Sequence, residues 1–374
     1  MRSLPGFPWD SLVPYKARAS SHEGGLIDLS VGTPVDPTPD VVCRALAAAS
    51  DAPGYPATIG RADLRQAIAA WFERRRGVPG VDPDSAVIPT IGSKELVAWL
   101  PTLLGLGPGD IVAFPRVAYP TYDIGARLAG CAPLPMDSIT SLGPLTAATT
   151  PRLIWLNTPA NPSGKVLGVD HLAKVVRWAR RHGVIVASDE CYAELDWRLD
   201  RPAGDPPTTP SLLDPRVTEG DPSGLLVAYS LSKQSNLAGY RAAFVVGDPE
   251  LIDPIAQVRK HAGMMLPAPV QAAMVATLTD DEHVAVQRER YRARRERLRA
   301  GASAYGLQVE DSEAGLYLWA SAGEDCWTTV DRLADLGLLC APGSFYGAAG
   351  GQHVRIALTA TDAQIDAAAR RLGA

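Results

Sequence analysis

Lys233 closes the segment Ser230-Leu231-Ser232-Lys233, directly after the apolar run Leu225-Leu226-Val227-Ala228-Tyr229, and Arg241 stands eight residues further on. Only six of the thirty-six basic residues are lysines, so lysine is scarce in this chain. An amine at the end of a buried strand loses solvent and part of its proton affinity, which suits covalent chemistry on a carbonyl. The two hydroxyls and the guanidinium nearby suit a phosphate. Read alone, the tetrapeptide is equally an ordinary strand-to-loop junction with a solvated lysine.

Three further segments carry matching chemistry, each after its own apolar run. Gly92-Ser93-Lys94-Glu95 opens a helical pattern. The free N–H groups of a helix start, with a glycine and a serine hydroxyl, make an anion site, or else a simple N-cap. Asn157-Thr158-Pro159-Ala160-Asn161-Pro162-Ser163-Gly164 sets amide side chains at a strand end, or is a plain Asn-Pro turn. Asp189-Glu190-Cys191-Tyr192 puts a carboxylate where it can pair with a pyridine nitrogen and keep the ring an electron sink. The alternative there is an aspartate capping the next element.

In this order, and each at a strand end, the four segments resemble the fold-type I pyridoxal 5′-phosphate (PLP) enzymes, and within them the class I/II aminotransferases. The resemblance runs from Gly32-Thr33-Pro34 to Arg355. It implies PLP as cofactor and an α/β fold, with a large domain of mostly parallel sheet sandwiched by helices and a smaller α+β domain. Lys233 matches the lysine that bonds to the cofactor and shuttles the proton between substrate Cα and C4′. Asp189 matches the partner of the pyridine nitrogen, and Tyr192 with Asn161 the pair at the ring hydroxyl. Ser93, Lys94, Ser230, Ser232 and Arg241 fall around the phosphate, with the Lys94 backbone expected to matter more than its charge. Tyr119, in Ala118-Tyr119-Pro120, matches the aromatic that stacks on the ring. Tyr55, in Gly54-Tyr55-Pro56, matches the tyrosine that reaches the neighbouring subunit's phosphate, which implies a homodimer. Arg355 matches the arginine that grips the substrate α-carboxylate, with Gly32 and Asn161 also against substrate.

The resemblance implies ping-pong amino transfer between an amino acid and a keto acid. The N-terminal stretch from Phe7-Pro8-Trp9 to Asp36-Pro37, with Ala52-Pro53-Gly54-Tyr55-Pro56, is similar to that of actinobacterial succinyldiaminopimelate aminotransferases. Those enzymes exchange glutamate and 2-oxoglutarate against N-succinyl-2-amino-6-oxopimelate in lysine and diaminopimelate synthesis. A dicarboxylic substrate asks for a second cation, for which Arg61 and Arg259 are candidates. Another amino donor, LL-diaminopimelate among them, or a PLP lyase, stays open. A PLP-binding transcription regulator would need a helix-turn-helix domain, for which the Pro/Gly-interrupted residues before Ala45 leave no room.

The elements that must position these groups are legible as alternating periodicities. Strands are expected over 86–89, 111–114, 153–156, 184–187, 225–229 and 242–246, and helices over 61–75, 94–103, 122–128 and 171–182. Ligands of such sheets sit outside the carboxyl ends of the strands, where every motif falls. Beyond Asp248-Pro249 the pattern changes to a long helical stretch reaching Ala304, then strand, helix, strand and helix over 316–320, 330–336, 353–358 and 362–372. This predicts an arm and part of a small domain over 1–44, a large PLP-binding domain over 45–260 and a small domain over 261–374. Residues 201–224, rich in Pro, Asp, Gly and Thr, read as a surface insertion.

A net charge of −5 argues against nucleic-acid binding, and the basic run 288–299, interleaved with Glu289 and Glu296, reads as a solvated helix face. Five scattered cysteines without a CxxC pair, and histidines without ligand spacing, fit free thiols in a reducing cytoplasm and no metal. The N-terminus lacks the apolar core of a signal peptide and no run is long enough to span a membrane, so a cytoplasmic enzyme of small-molecule substrates is expected.

Overall fold

The computed structural model describes residues 4–143, 145–146, 148–198 and 206–374. In chain order the strands are β1 (Ile27–Asp28), β2 (Val87–Ile91), β3 (Ile111–Phe114), β4 (Ala132–Pro135), β5 (Leu153–Asn157), β6 (Ile185–Asp189), β7 (Leu225–Ser230), β8 (Ala242–Gly247), β9 (Gln308–Glu310), β10 (Tyr317–Ser321), β11 (Leu338–Leu339), β12 (Ala341–Pro342) and β13 (His353–Ala357). Seven of them form one sheet in the order β2-β8-β7-β6-β5-β3-β4. Only β8 runs against its neighbours; the other pairings are parallel. Strands β5, β7 and β8 are buried at every position, which is why their sequences read as continuous apolar runs. The edge strand β4 escapes the sequence pattern because Pro133 and Pro135 cannot donate to a ladder and are tolerated only at an edge.

A second sheet, β12-β13-β10-β9, is antiparallel and carries Arg355 on β13. Its core also takes Leu12, Ile27 and Leu29, and β1 pairs in parallel with β11, so the N-terminal arm is built into this smaller layer. The packing divides the chain differently from the sequence pattern. The stretch expected as one long helix is two, Ala268–Leu278 and Glu282–Ala304. The first packs on Asp40–Ala48 and Ala62–Trp71, and its Met274 and Leu278 join Val42 and Leu64 in the large core. The large body therefore begins near residue 40 and continues to 278, not 45 to 260.

Two other expectations give way to packing. Residues 201–205 lie outside the described residues, but 206–218 are no surface insertion. Leu212, Leu213 and Val217 enter the large core, and Thr208 and Thr209 accept bonds from the buried Arg76. In the basic run, Arg294 and Arg295 are buried: Arg294 makes two bonds of 2.7 and 2.8 Å to Asp36 and one of 2.7 Å to Asp362, bracing the arm. The helix expected over 61–75 is α-helical at Ala62–Trp71 and widens to a π-turn at Phe72–Arg76, which turns Arg75 and Arg76 toward Glu194 and Glu190. Among the described residues no helix is long and apolar enough to cross a membrane, and none of the five cysteines forms a disulfide.

Candidate active site

Strands β5, β6 and β7 lie side by side, and their last residues are Asn157, Asp189 and Ser230. In register Asn157 faces Asp189, and Asp189 faces Ala228. Three polar groups thus share the carboxyl edge of three parallel strands, where the chain leaves the sheet and a crevice opens. A cavity of about 490 Å³ sits there. Its lining includes Gly32, Ser93, Lys94, Tyr119, Asn161, Asp189, Tyr192, Ser230, Ser232, Lys233, Arg241 and Arg355. Of the expected site residues only Tyr55 is apart: it is 96% exposed and does not line this cavity.

At one end of the cavity the groups suit an anion. Ser93 begins the helix Ser93–Leu103, whose first N–H groups have no partner within the helix. Gly92 precedes it at φ +79°, and a Cβ there would lie 2.2 Å from an Arg241 guanidinium nitrogen. Glycine is required on both counts. Ser230 and Ser232 are linked through their hydroxyls at 2.8 Å, and Arg241 donates to the Ala238 carbonyl at 2.9 Å.

On the sheet edge, Asp189 is buried beneath Tyr122, whose hydroxyl donates to it at 3.1 Å, and it accepts from the Cys191 N–H at 3.2 Å. Asn157 ties the same turn down by donating to the Asp189 carbonyl at 3.0 Å. No arginine, lysine or histidine among the described residues pairs with this carboxylate. Burial pushes its pKa up, and the Cys191 and Tyr122 hydrogen bonds only partly oppose that. A buried carboxylate at a cavity wall without a cation is the setting a protonated pyridine nitrogen fits. Lys233 is partly buried; desolvation lowers its pKa, with help from the positive charges of Arg355 and Arg241. Its amine donates to the Gly32 carbonyl of the N-terminal arm.

Tyr119 lines the cavity and is held edge-on to Tyr122, with ring centres 6.0 Å apart. Burial pushes its pKa up to about 12. On the small-domain side Arg355 is 3% exposed and donates to Asn161 Oδ1 at 3.1 Å and to the Ser30 carbonyl at 2.7 Å. Its Nε has no protein partner. Tyr317 and Tyr346 flank the guanidinium, with ring centres 3.9 and 4.9 Å away. The Tyr317 hydroxyl lies 3.2 Å from that of Tyr192 and fills the space a Cβ on Gly32 would need. Burial alone would raise the Tyr317 pKa, but Arg355 and Lys233 bring it below the ordinary phenol value.

Tyr317 and Tyr122 escape sequence reasoning. Tyr122 stands three residues after Tyr119, while Tyr317 is one of several aromatics on an apolar strand and only its pairing opposite Arg355's strand marks it. The two candidates for a second cation fail: Arg61 is engaged by Asp63, and Arg259 is buried against Glu95. Neither lines the cavity.

An anion cradle at a helix start, an unpaired buried carboxylate and a desolvated lysine, at the carboxyl edge of this sheet order, define a fold-type I PLP-dependent transferase. The chain belongs to the aminotransferase class I and II family, whose model matches residues 25–372. It is a PLP-dependent aminotransferase. It is 57% identical, over all of both chains, to the 4-dedimethylamino-4-oxo-anhydrotetracycline transaminase OxyQ of Streptomyces rimosus. It is 56% identical to a probable aminotransferase of Mycobacterium tuberculosis, over 99% of this chain and 85% of that one. Among solved structures it superposes with a TM-score of 0.82 and 27% identity on the N-succinyldiaminopimelate aminotransferase of M. tuberculosis, over 99% of each chain.

Proposed function

We propose that this aminotransferase moves an amino group between glutamate/2-oxoglutarate and N-succinyl-2-amino-6-oxopimelate, a step of diaminopimelate and lysine synthesis. One observation carries the choice of an acceptor with a distal carboxylate. Of the cavity's cations, Lys233, Arg241 and Arg355 are committed to cofactor and α-carboxylate, which leaves Lys94. Its side chain is exposed and enters no ion pair among the described residues, and its amine sits 5.8 Å from the centre of the Phe7 ring at the cavity's edge. An uncommitted ammonium there suits a distal carboxylate. The full-length likeness to the M. tuberculosis enzyme supports the same reading.

PLP, when bound, supplies the electron sink that lets the substrate Cα–H bond break. In our reading Lys233, whose proton affinity desolvation lowers, would take that proton and return it at C4′. Asp189 holds the ring nitrogen protonated. Asn161 spends Oδ1 on Arg355, which leaves its Nδ2 with Tyr192 to donate to the ring hydroxyl. Arg355, fixed between two rings, grips the α-carboxylate bidentately. Ser93, Ser230, Ser232 and Arg241 hold the phosphate, and Tyr55, exposed on this chain, reaches the phosphate of a second copy in a homodimer.

A second reading rests on the 57% identity to a transaminase named for a 4-oxo-anhydrotetracycline, a ring ketone. The test is amino transfer from glutamate to four acceptors: the succinylated keto-pimelate, the 4-oxo-anhydrotetracycline, pyruvate and oxaloacetate. The succinylated acceptor is expected to have the highest kcat/KM. A clear preference for pyruvate or oxaloacetate sinks the assignment, and a preference for the ring ketone replaces it with the second reading.

A further inference from the structure

Tyr317, on β10, is buried and lines the catalytic cavity beside Gly32, Tyr192, Lys233 and Arg355. A phenylalanine would offer Arg355 the same aromatic face, so that stack does not account for the hydroxyl. Among the described residues the hydroxyl has one hydrogen-bond partner, the Tyr192 hydroxyl at 3.2 Å. Its place is fixed from two other sides. The Arg355 guanidinium lies over the ring, 3.9 Å from its centre, and the Tyr192 ring meets it edge-on with centres 5.8 Å apart. A Cβ on Gly32 would fall 2.0 Å from the hydroxyl oxygen, so only glycine at 32 lets the hydroxyl reach this point.

Each phenol carries one proton, and only one of the two protons can lie between the oxygens. If Tyr192 donates to Tyr317, it has no proton left for a ligand. If Tyr317 donates, the Tyr192 proton is free to point into the cavity. The more acidic hydroxyl is the better donor, because its O–H bond is the more polarised. Burial opposes ionisation of both phenols, but at Tyr317 the positive charges of Arg355 and Lys233 outweigh it and bring the pKa below the ordinary value. At Tyr192 burial, with Tyr317 as neighbour, pushes the pKa well above that value. The donor is Tyr317.

We propose that Tyr317 is a positioning residue for Tyr192: it donates to the Tyr192 hydroxyl, leaves the Tyr192 proton free for the cofactor's ring oxygen, and strengthens that second bond. The inference rests on the reading of Tyr192 as a partner of the ring hydroxyl and deepens it. A hydroxyl that accepts one hydrogen bond is polarised into a better donor of the next, by about 10–30% per bond in such a chain. Tyr317 thereby joins the arginine proposed for the α-carboxylate to the group proposed for the ring oxygen, through its face on one side and its hydroxyl on the other.

The test is a pH titration of the cofactor's absorption band in the PLP-loaded enzyme and in Tyr317→Phe, Tyr192→Phe and the double variant. The band follows the proton held at the ring oxygen. A donor to that oxygen favours the form that has lost the proton, which lowers the midpoint. Tyr192→Phe should therefore raise the midpoint. Tyr317→Phe should raise it by about 10–30% of that shift, and the double variant by no more than Tyr192→Phe alone, since Tyr317 acts through Tyr192. Gly32→Ala, which displaces the same hydroxyl without removing it, should shift the midpoint upward only while Tyr192 is present. A lower midpoint in Tyr317→Phe means that Tyr192 donates to Tyr317 and overturns the proposal. An unchanged midpoint overturns it too, as does a Tyr317→Phe shift that persists in the double variant, which would put the hydroxyl's effect on Lys233 or Arg355. If Tyr192→Phe itself leaves the midpoint in place, the ring-hydroxyl assignment of Tyr192 falls and the proposal falls with it.

Discussion

The Arg355 guanidinium stacks 3.9 Å from the centre of the Tyr317 ring, and the Tyr317 hydroxyl in turn meets that of Tyr192 at 3.2 Å. Arg355, which we propose binds the substrate α-carboxylate, is thus aimed by an aromatic face while both its terminal nitrogens are engaged by Asn161 and Ser30. A desolvated cation–π contact is worth about 2 kcal/mol. Tyr317→Leu is expected to raise KM for amino acid and keto acid by about tenfold or more, with a smaller change in kcat. Tyr317→Phe, which keeps the face, should restore most of the KM. Equal loss in kcat and KM for both variants would show that the hydroxyl, not the ring, matters.

At the other end of the cavity, Gly92→Ala drives a methyl group into the Arg241 guanidinium and strains a left-handed backbone position. A displaced charge-assisted bond costs about 1.5–3 kcal/mol, so the PLP dissociation constant should rise about 10–100-fold. Arg241→Met should do the same, and the double variant no more than either, because both act on one contact. Additive losses, read by cofactor titration, would mean that Gly92 and Arg241 act separately.

The large sheet was legible because buried parallel strands are written as unbroken apolar runs, and the cavity because each motif ends such a run at Asn157, Asp189 or Ser230. What was not legible depends on long-range packing. Met274 and Leu278 read as the start of a second domain, since nothing local says which of two cores a helix joins. Residues 208–214 have loop composition yet are buried, because their polar groups satisfy Arg76 and Glu190 rather than water. Tyr317 is marked only by the strand opposite it.

That buried frame carries a prediction of its own. Arg76 and Glu190 pair with both side chains fully buried, and Glu190 also accepts from the Leu212 N–H at 2.7 Å. Glu190 is the residue after Asp189, so the pair fixes the turn that aims the carboxylate proposed to meet the pyridine nitrogen. Arg76→Met leaves a buried carboxylate unpaired and should cost about 3–5 kcal/mol of stability, with weaker PLP binding. Adding Glu190→Gln should recover part of the loss in denaturant unfolding. A single variant within about 1 kcal/mol of wild type would remove the pair's structural role.

Asp189 makes the cofactor-free protein pH-sensitive in a predictable direction. Burial raises its pKa above the ordinary 3.8, so between that value and the raised one the folded chain holds a proton that the unfolded chain has released. Its contribution to stability is therefore fully present below the ordinary value and is lost as pH rises through the raised one. Above that, the folded apoprotein carries a buried charge without a cation. Asn at this position cannot ionise. Cofactor-free Asp189→Asn should then melt higher than the cofactor-free wild type at neutral pH, with the gap closing as pH falls toward 3.8. Adding PLP should reverse the order, because only the wild type gains an ion pair with the protonated ring nitrogen, and should lift the wild type's melting temperature more than the variant's. Thermal unfolding across pH, with and without cofactor, measures both signs. An Asp189→Asn apoprotein that is less stable at neutral pH, with the wild type's slope, would mean that Tyr122 and Cys191 already satisfy the charge.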